Sequence, residues 1–240
     1  MTILRRPPKG RGAPRARGGI PFTRFDRGWT HCICVASGPS LTQDQIDQIA
    51  TARPQWKVLV TNNTWERIPT ADVLYAGDEQ WWEVYGGVVH AAFSGEKWTG
   101  SRRIAHRDSI NFVQVRANEG LSRTPGLVHS GSNSGYQMLN LAYLFGARRV
   151  LLVGYDMGKV NGLSHWHGDH AGVLNQQMPF DRWRSGFNLI AADLAADGVI
   201  VHNCSTRSAL TCFPTGNLNE LIAQSTDRCD RYDSAPTPSA

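Results

Sequence analysis

The sequence predicts an α/β fold, a doubly wound and mostly parallel sheet forming one domain over residues 29–225. Three observations predict it. Short β-branched runs alternate with helical patterns along the chain. The stretch Ser130–Gly158 reads as a small-residue loop, a helix apolar nearly all round, and a continuous apolar strand. Small or polar residues stand at the carboxyl end of nearly every predicted strand, the edge at which open α/β sheets bind ligands.

The first strand is His31–Ala36, and it breaks at Ser37-Gly38-Pro39-Ser40-Leu41. A helix follows, with Thr42 and Gln45 at capping-box spacing and Ile46 and Ile49 facing inward. A strand, a glycine turn and a helix start present backbone N–H groups to an anion. Lys57–Thr61 is the second strand, ending in Asn62-Asn63, whose amides can donate and accept. Val73–Ala76 is the third, ending at Asp78. The aromatics Trp81, Trp82 and Tyr85 come next, either as a stacking surface for a ring or as lid and edge packing. Residues 86–110, with Gly86, Gly87, Gly95 and Gly100, read as loops with short edge strands. Asn111–Val115 is a fourth strand, and Gly120–Leu127 is a loop.

The central stretch then begins at Ser130. Its helix carries Met138, Leu139, Leu141, Ala142, Leu144 and Phe145, and Gly146 stops it. Val150–Val153 is the strand, and Asp156 stands just past its carboxyl end. Such a loop, helix and strand make half of a nucleotide-binding unit. A histidine-rich loop follows at residues 162–172, then a helix from Phe180 with Trp183, Phe187, Ile190 and Leu194 on one face. Val199–His202 is a last strand, followed by Asn203-Cys204-Ser205-Thr206-Arg207-Ser208 and a short helix near residues 218–222.

Composition narrows the class. No apolar run in the 240 residues approaches membrane-spanning length. The five cysteines are an odd number without a C-x-x-C pair, which argues against a disulfide framework and for a reducing cytoplasm. Residues 1–24 hold seven basic residues and no acid. Removing those seven from the 25 basic residues leaves 18 against 20 acidic ones, so the high pI belongs to the first segment. Residues 1–28 read as a Pro/Gly/Arg-rich arm, either a solvated tail or a weak contact for a polyanion. Residues 226–240 read as a second tail.

Right-handed crossovers place the strand-end loops on one edge of the sheet. The predicted binding residues are therefore Ser37, Gly38, Pro39, Ser40, Asn62, Asn63, Asp78, Ser132, Asn133, Ser134, Gly135, Asn203, Ser205 and Ser208, and Asp156, a catalytic candidate, converges on the same edge. His165-Trp166-His167-Gly168-Asp169-His170 supports three readings. One of His165, His167 and His170 is a general acid or base beside Asp156. Alternatively, His165 and His167 bind a divalent metal with Asp169 or His170. The third reading is structural. Asp156 and Asp169 also suit Mg²⁺ held through a substrate diphosphate.

Six motifs, taken together, resemble a known family. They are V-A-S-G-P-S-L (Val35–Leu41), V-T-N-N (Val60–Asn63), S-N-S-G (Ser132–Gly135), V-G-Y-D-M (Val153–Met157), H-W-H-G-D-H and N-C-S-T-R-S (Asn203–Ser208). In order and rough spacing this set resembles the bacterial sialyltransferases that decorate lipooligosaccharide. It is also similar to the wider glycosyltransferase-like and pterin-pyrophosphokinase-like group that shares G-P-S-L, and H-W-H-G-D-H resembles a form found in phage and prophage proteins. Ser37 stands where the sialyltransferases have Asn, and Gly131 where they have Arg. The resemblance implies a Rossmann-like, single-domain glycosyltransferase fold with a cytidine-type or similar nucleotide-sugar donor. It makes Asn62 a nucleotide contact, Ser132–Gly135 the pocket floor, and one histidine the base.

The expectation is a nucleotide-dependent transferase moving a sugar to a hydroxyl of a small molecule or glycan. Its alternatives are an ATP- and Mg²⁺-dependent diphosphotransferase and a non-enzymatic phage accessory protein that binds nucleotide. The expected location is the cytoplasm, the bacterial host's if the chain is phage-encoded.

Overall fold

The computed structural model describes residues 25–168 and 178–224. Residues 1–24 of the arm, residue 225 and the whole tail at 226–240 lie outside the described residues. In chain order the elements are β1 (His31–Val35), α1 (Gln43–Thr51), β2 (Lys57–Thr61), a 3₁₀ turn (Asn62–Glu66), β3 (Val73–Ala76), α2 (Glu79–Ala92) and β4 (Glu96–Thr99). There follow α3 (Arg102–Asp108), β5 (Asn111–Phe112), β6 (Gln114–Arg116), β7 (Leu127–His129), α4 (Ser134–Leu144), β8 (Arg149–Val153), α5 (Phe180–Ala196) and β9 (Ile200–Asn203).

Seven strands form one all-parallel sheet in the order β5-β4-β3-β2-β1-β8-β9, and β6 and β7 pair beside it. The chain steps outward from β1 to β5, then returns to place β8 on the other side of β1. The strand order therefore reverses between β1 and β8, the position where doubly wound sheets open a crevice.

Strand pleating divides the interior into two cores. Cys32, Cys34, Leu59, Tyr75, Val150 and Leu152 pack with α4 and α5 on one face. Ile33, Val35, Val58, Val60, Leu74 and Leu151 pack with α1, α2 and α3 on the other. Strands covered on both faces must be apolar on both, which is why β1, β2 and β8 read as continuous runs. Helix α4 is buried on nearly every side, as its composition predicts.

Four stretches depart from the sequence reading. Residues 86–110 contain the second half of α2 and all of β4 and α3. Gly86 and Gly87 lower helix propensity, but Trp81, Trp82 and Val89 are buried along the same helix and hold it. Asn111–Val115 splits into β5 and β6. Val113 is fully buried and donates its N–H to Thr99 O, whereas the Gln114 N–H turns to Gly126 O and pairs outside the main sheet. Residues 25–28, assigned to the arm, belong to the fold. Phe25 packs on Trp98 and Phe145. Arg27 forks onto Glu96 at 2.6 and 2.8 Å and lies 4.2 Å over the Phe145 ring. β9 also starts one residue later than predicted.

The capping box at the start of α1 forms in full: Thr42 Oγ1 accepts from Gln45 N, and Gln45 Oε1 accepts from Thr42 N. Replacing Thr42 with Ala leaves first-turn donors without an acceptor, and a loss of about 1 kcal/mol is expected. Urea unfolding at unchanged slope measures it.

Candidate functional site

The crevice between β1 and β8 is built on close backbone approach. Ala36 N donates to Val153 O at 2.8 Å and Gly38 N to Gly154 O at 2.9 Å. Gly154 has φ +70°, and a Cβ there would fall under 3.0 Å from Ala36 O. A Cβ on Gly38 would strike both Gly154 O and the Asp156 carboxylate. Glycine is needed at both positions, for conformation at one and space at the other.

Asp156 lies directly across this approach and is only 4 % exposed. Its Oδ2 accepts from Ser40 N at 2.8 Å and its Oδ1 from Ser40 Oγ at 2.5 Å. Burial raises the Asp156 carboxyl above the ordinary aspartate range, and the two Ser40 hydrogen bonds draw it back in part. This corrects the expectation for the first loop. The Gly38 and Ser40 amides, which a phosphate would need, are already taken by Gly154 O and by an internal carboxylate.

A cavity of about 350 Å³ opens beside this junction. Ten of the predicted residues line it: Ser37, Gly38, Asn62, Asp78, Ser132, Asn133, Ser134, Gly135, Asp156 and His165. Pro39 and Ser40 do not. Asn63 turns inward, accepting from Trp81 Nε1 at 2.8 Å and donating to Glu66 at 3.0 Å. The last loop also braces rather than lines the cavity. Asn203 Nδ2 donates to Ser208 Oγ and Asn203 Oδ1 accepts from Ser205 N. Ser205 Oγ accepts from Tyr155 N and Ser208 Oγ donates to Tyr155 O. Asn203, Ser205 and Ser208 thus hold the turn that carries Asp156.

The opposite wall is the start of α4. Gly131 and Ser132 both have positive φ, +46° and +53°. Asn133 Oδ1 caps the helix by accepting from Tyr136 N at 3.0 Å. Gln137 ties the loop to the sheet, donating to Ser130 O at 2.9 Å and accepting from Tyr75 Oη at 2.6 Å. A Cβ at Gly131 would enter the Tyr136 ring, so no side chain fits at that position. The first-turn amides at Ser134 and Gly135 have no acceptor within their helix and border the cavity. Open first-turn N–H groups at a helix start are the kind of donors an anion takes.

The histidine loop is strapped onto the end of β1. Trp166 N donates to Ser37 O at 3.0 Å, and His165 Nδ1 and Ser37 Oγ share a hydrogen bond of 2.9 Å. The His165 and His167 rings stack at 5.1 Å, and the Arg67 guanidinium lies 5.2 Å over the Trp166 ring. His165 reaches the cavity; His167 is not among its lining residues. Asp169 and His170 lie outside the described residues. Among the described residues no three His, Cys, Asp or Glu side chains gather to hold a metal ion. The Asp156 oxygens are both engaged by Ser40.

Sequence reading missed Thr61, Ser164, Met157, Met178 and the start of α5 as cavity wall. Phe180 and Trp183 read as the apolar face of a helix; in three dimensions they close the cavity, while Phe187, Ile190 and Leu194 enter the core. Trp81 also borders the cavity, but it and Trp82 are buried on α2 and anchored through Asn63 and the Ala76 carbonyl.

Two outcomes are expected. Gly38→Ala forces β1 and β8 apart and is expected to cost about 3 kcal/mol or more, at the upper end of overpacking, read from the denaturation midpoint. In wild type, as pH rises from the ordinary aspartate range of about 4 toward neutrality, the folded chain retains the Asp156 proton that the unfolded chain has lost. Wild-type stability therefore falls over that window by an amount that Asp156→Asn does not show. Melting curves of both proteins at about pH 4 and pH 7 should show the variant gaining on wild type as pH rises; a constant gap counts against the raised carboxyl.

No family model matches the chain and no curated protein is similar to it, so its function is read from the geometry of this site.

Proposed function

We propose that the chain is a nucleotide-dependent transferase that moves a sugar from a nucleotide-sugar donor to an acceptor hydroxyl, with His165 as the general base. The observation that carries this reading is the pairing, across one crevice at the strand-order reversal, of the α4 N-terminus with an imidazole braced by Ser37. Phosphate seats at a helix start, where partial positive charge and open N–H groups coincide. An imidazole exchanges protons near neutral pH.

The charge of the wall points to the type of donor. Among the described lining residues there is no Lys or Arg, and Asp78 and Asp156 are acidic. One helix start balances a single phosphate better than a diphosphate. A donor joined through one phosphate, of the cytidine monophosphate type, suits the site best. In the reaction the acceptor oxygen bonds to the sugar's anomeric carbon as that carbon's bond to the phosphate oxygen breaks. The acceptor proton passes to His165. The nucleotide leaves with its charge facing the Ser134 and Gly135 amides, which are preorganised and need no reorientation. Ser37 fixes the orientation of the His165 ring.

Titration calorimetry with nucleoside mono- and diphosphates tests the reading. Monophosphates are expected to bind more tightly than the corresponding diphosphates, and failure of every nucleotide to bind would sink it. His165→Ala is expected to keep nucleotide affinity and to lower transfer by about 10²–10⁴-fold, the usual range for a lost general base.

A further inference from the structure

The flank of the cavity formed by the ends of β2 and β3 contains polar atoms that the fold leaves unsatisfied. Thr61 is the last residue of β2 and 2 % exposed, and its Oγ1 has no hydrogen-bond partner among the described residues. Asn62 follows it with φ +49°, and its buried Oδ1 also lacks a partner there. In the same lining, Trp183 Nε1 is a third buried polar atom without a partner among the described residues. All three residues line the same cavity, with Asp78 beside them at the end of β3. Buried polar atoms are normally paired, because an unpaired one costs folding free energy. Unpaired atoms also lie away from the cavity, at Arg53, Trp56, Thr64 and Trp65, but these three belong to residues of one lining, which suits a ligand that completes their bonding.

The chemistry of these atoms defines what they take. Asn62 Oδ1 and the Asp78 carboxylate only accept; Thr61 Oγ1 accepts or donates; Trp183 Nε1 only donates. Acceptors dominate on the β2–β3 side, so the group seated there is rich in donors. Neighbouring sugar hydroxyls have that character, each being a donor that also accepts.

We infer that Thr61, Asn62 and Asp78, with Trp183 in the same lining, form a subsite for the vicinal hydroxyls of a sugar, and that Thr61 is its specificity-determining residue. The inference deepens the transferase reading and rests on it for the claim that the sugar belongs to a nucleotide. The hydroxyls come either from the ribose of the nucleotide or from a hexose. Thr61 carries the sharpest consequence because valine has its shape without its hydroxyl. A hydroxyl kept for a ligand destabilises the empty protein, so its removal should act in opposite directions on folding and on binding.

The test compares wild type with Thr61→Val. Without ligand, Thr61→Val is expected to melt about 2–4 °C higher, the shift that removal of one unpaired polar group gives in a domain of this size. Calorimetry then uses cytidine 5′-monophosphate, its 2′-deoxy form, and methyl glycosides of common hexoses. For the ribose source, wild type is expected to bind the ribonucleotide about tenfold more tightly than the deoxynucleotide, and Thr61→Val to lose that preference. For the hexose source, methyl glycosides bind wild type and lose about tenfold in Thr61→Val. Nucleotide binding that is equally strong for ribo and deoxy forms and in both proteins, with no glycoside bound, overturns the subsite and leaves the transferase reading standing. Glycoside binding that depends on Thr61, with no nucleotide bound, supports the subsite and overturns the nucleotide. A variant that melts below wild type, or a wild type that binds none of these compounds, overturns the subsite outright.

Discussion

The contact of the β1 and β8 backbones beyond their last paired residues is the constraint on which the site depends. Gly38 and Gly154 allow two turns to touch where any side chain would collide. That contact brings Asp156 under the β1 loop, where Ser40 holds it through main chain and side chain. It also leaves the Ser37 carbonyl and hydroxyl turned to the histidine loop, which fastens there through the Trp166 amide and His165. Carboxylate, imidazole and cavity are thus placed by one approach of two strands.

The polarity of the site follows from which backbone donors this contact consumes. A glycine turn before a helix commonly cradles an anion. Here the anion is internal, because Asp156 and the Gly154 carbonyl fill the turn after β1. The open donors lie across the crevice, at the first turn of α4, which Asn133 caps without covering Ser134 and Gly135. The result is an asymmetric pocket. One wall carries open N–H donors, and the lining also holds acceptors at Asp78, Asn62 and Thr61.

Stability and binding pull against each other around this cavity. The turn after β8 is tightly satisfied, with Asn203, Ser205 and Ser208 closing on Tyr155. The ends of β2 and α5 are not, since Thr61, Asn62 and Trp183 keep buried polar atoms without partners among the described residues. Bonding that is complete in the supports and incomplete at the opening is the arrangement expected of a preformed binding site.

Much of the fold was written locally. β2 and β3 matched their predicted residues, and β1 and β8 lay within one residue of theirs. The capping box of α1 and the apolar face of α4 could be read from spacing alone, since each rests on neighbours in the chain. The same local reading failed for α2, where Gly86 and Gly87 suggest a loop and buried tryptophans decide otherwise. At the site, the sequence by itself determined that small and polar residues stand at the strand ends, so ten of them could be named in advance. It did not determine which way they face. Asn63 and Asn62 are neighbours of one type, yet one anchors Trp81 and the other lines the cavity. Only the tertiary structure decided this, because a side chain's partner is set by the strand laid beside it, and residues 116 apart in number, as Ser40 and Asp156 are in the loops after β1 and β8, meet only when the sheet is assembled.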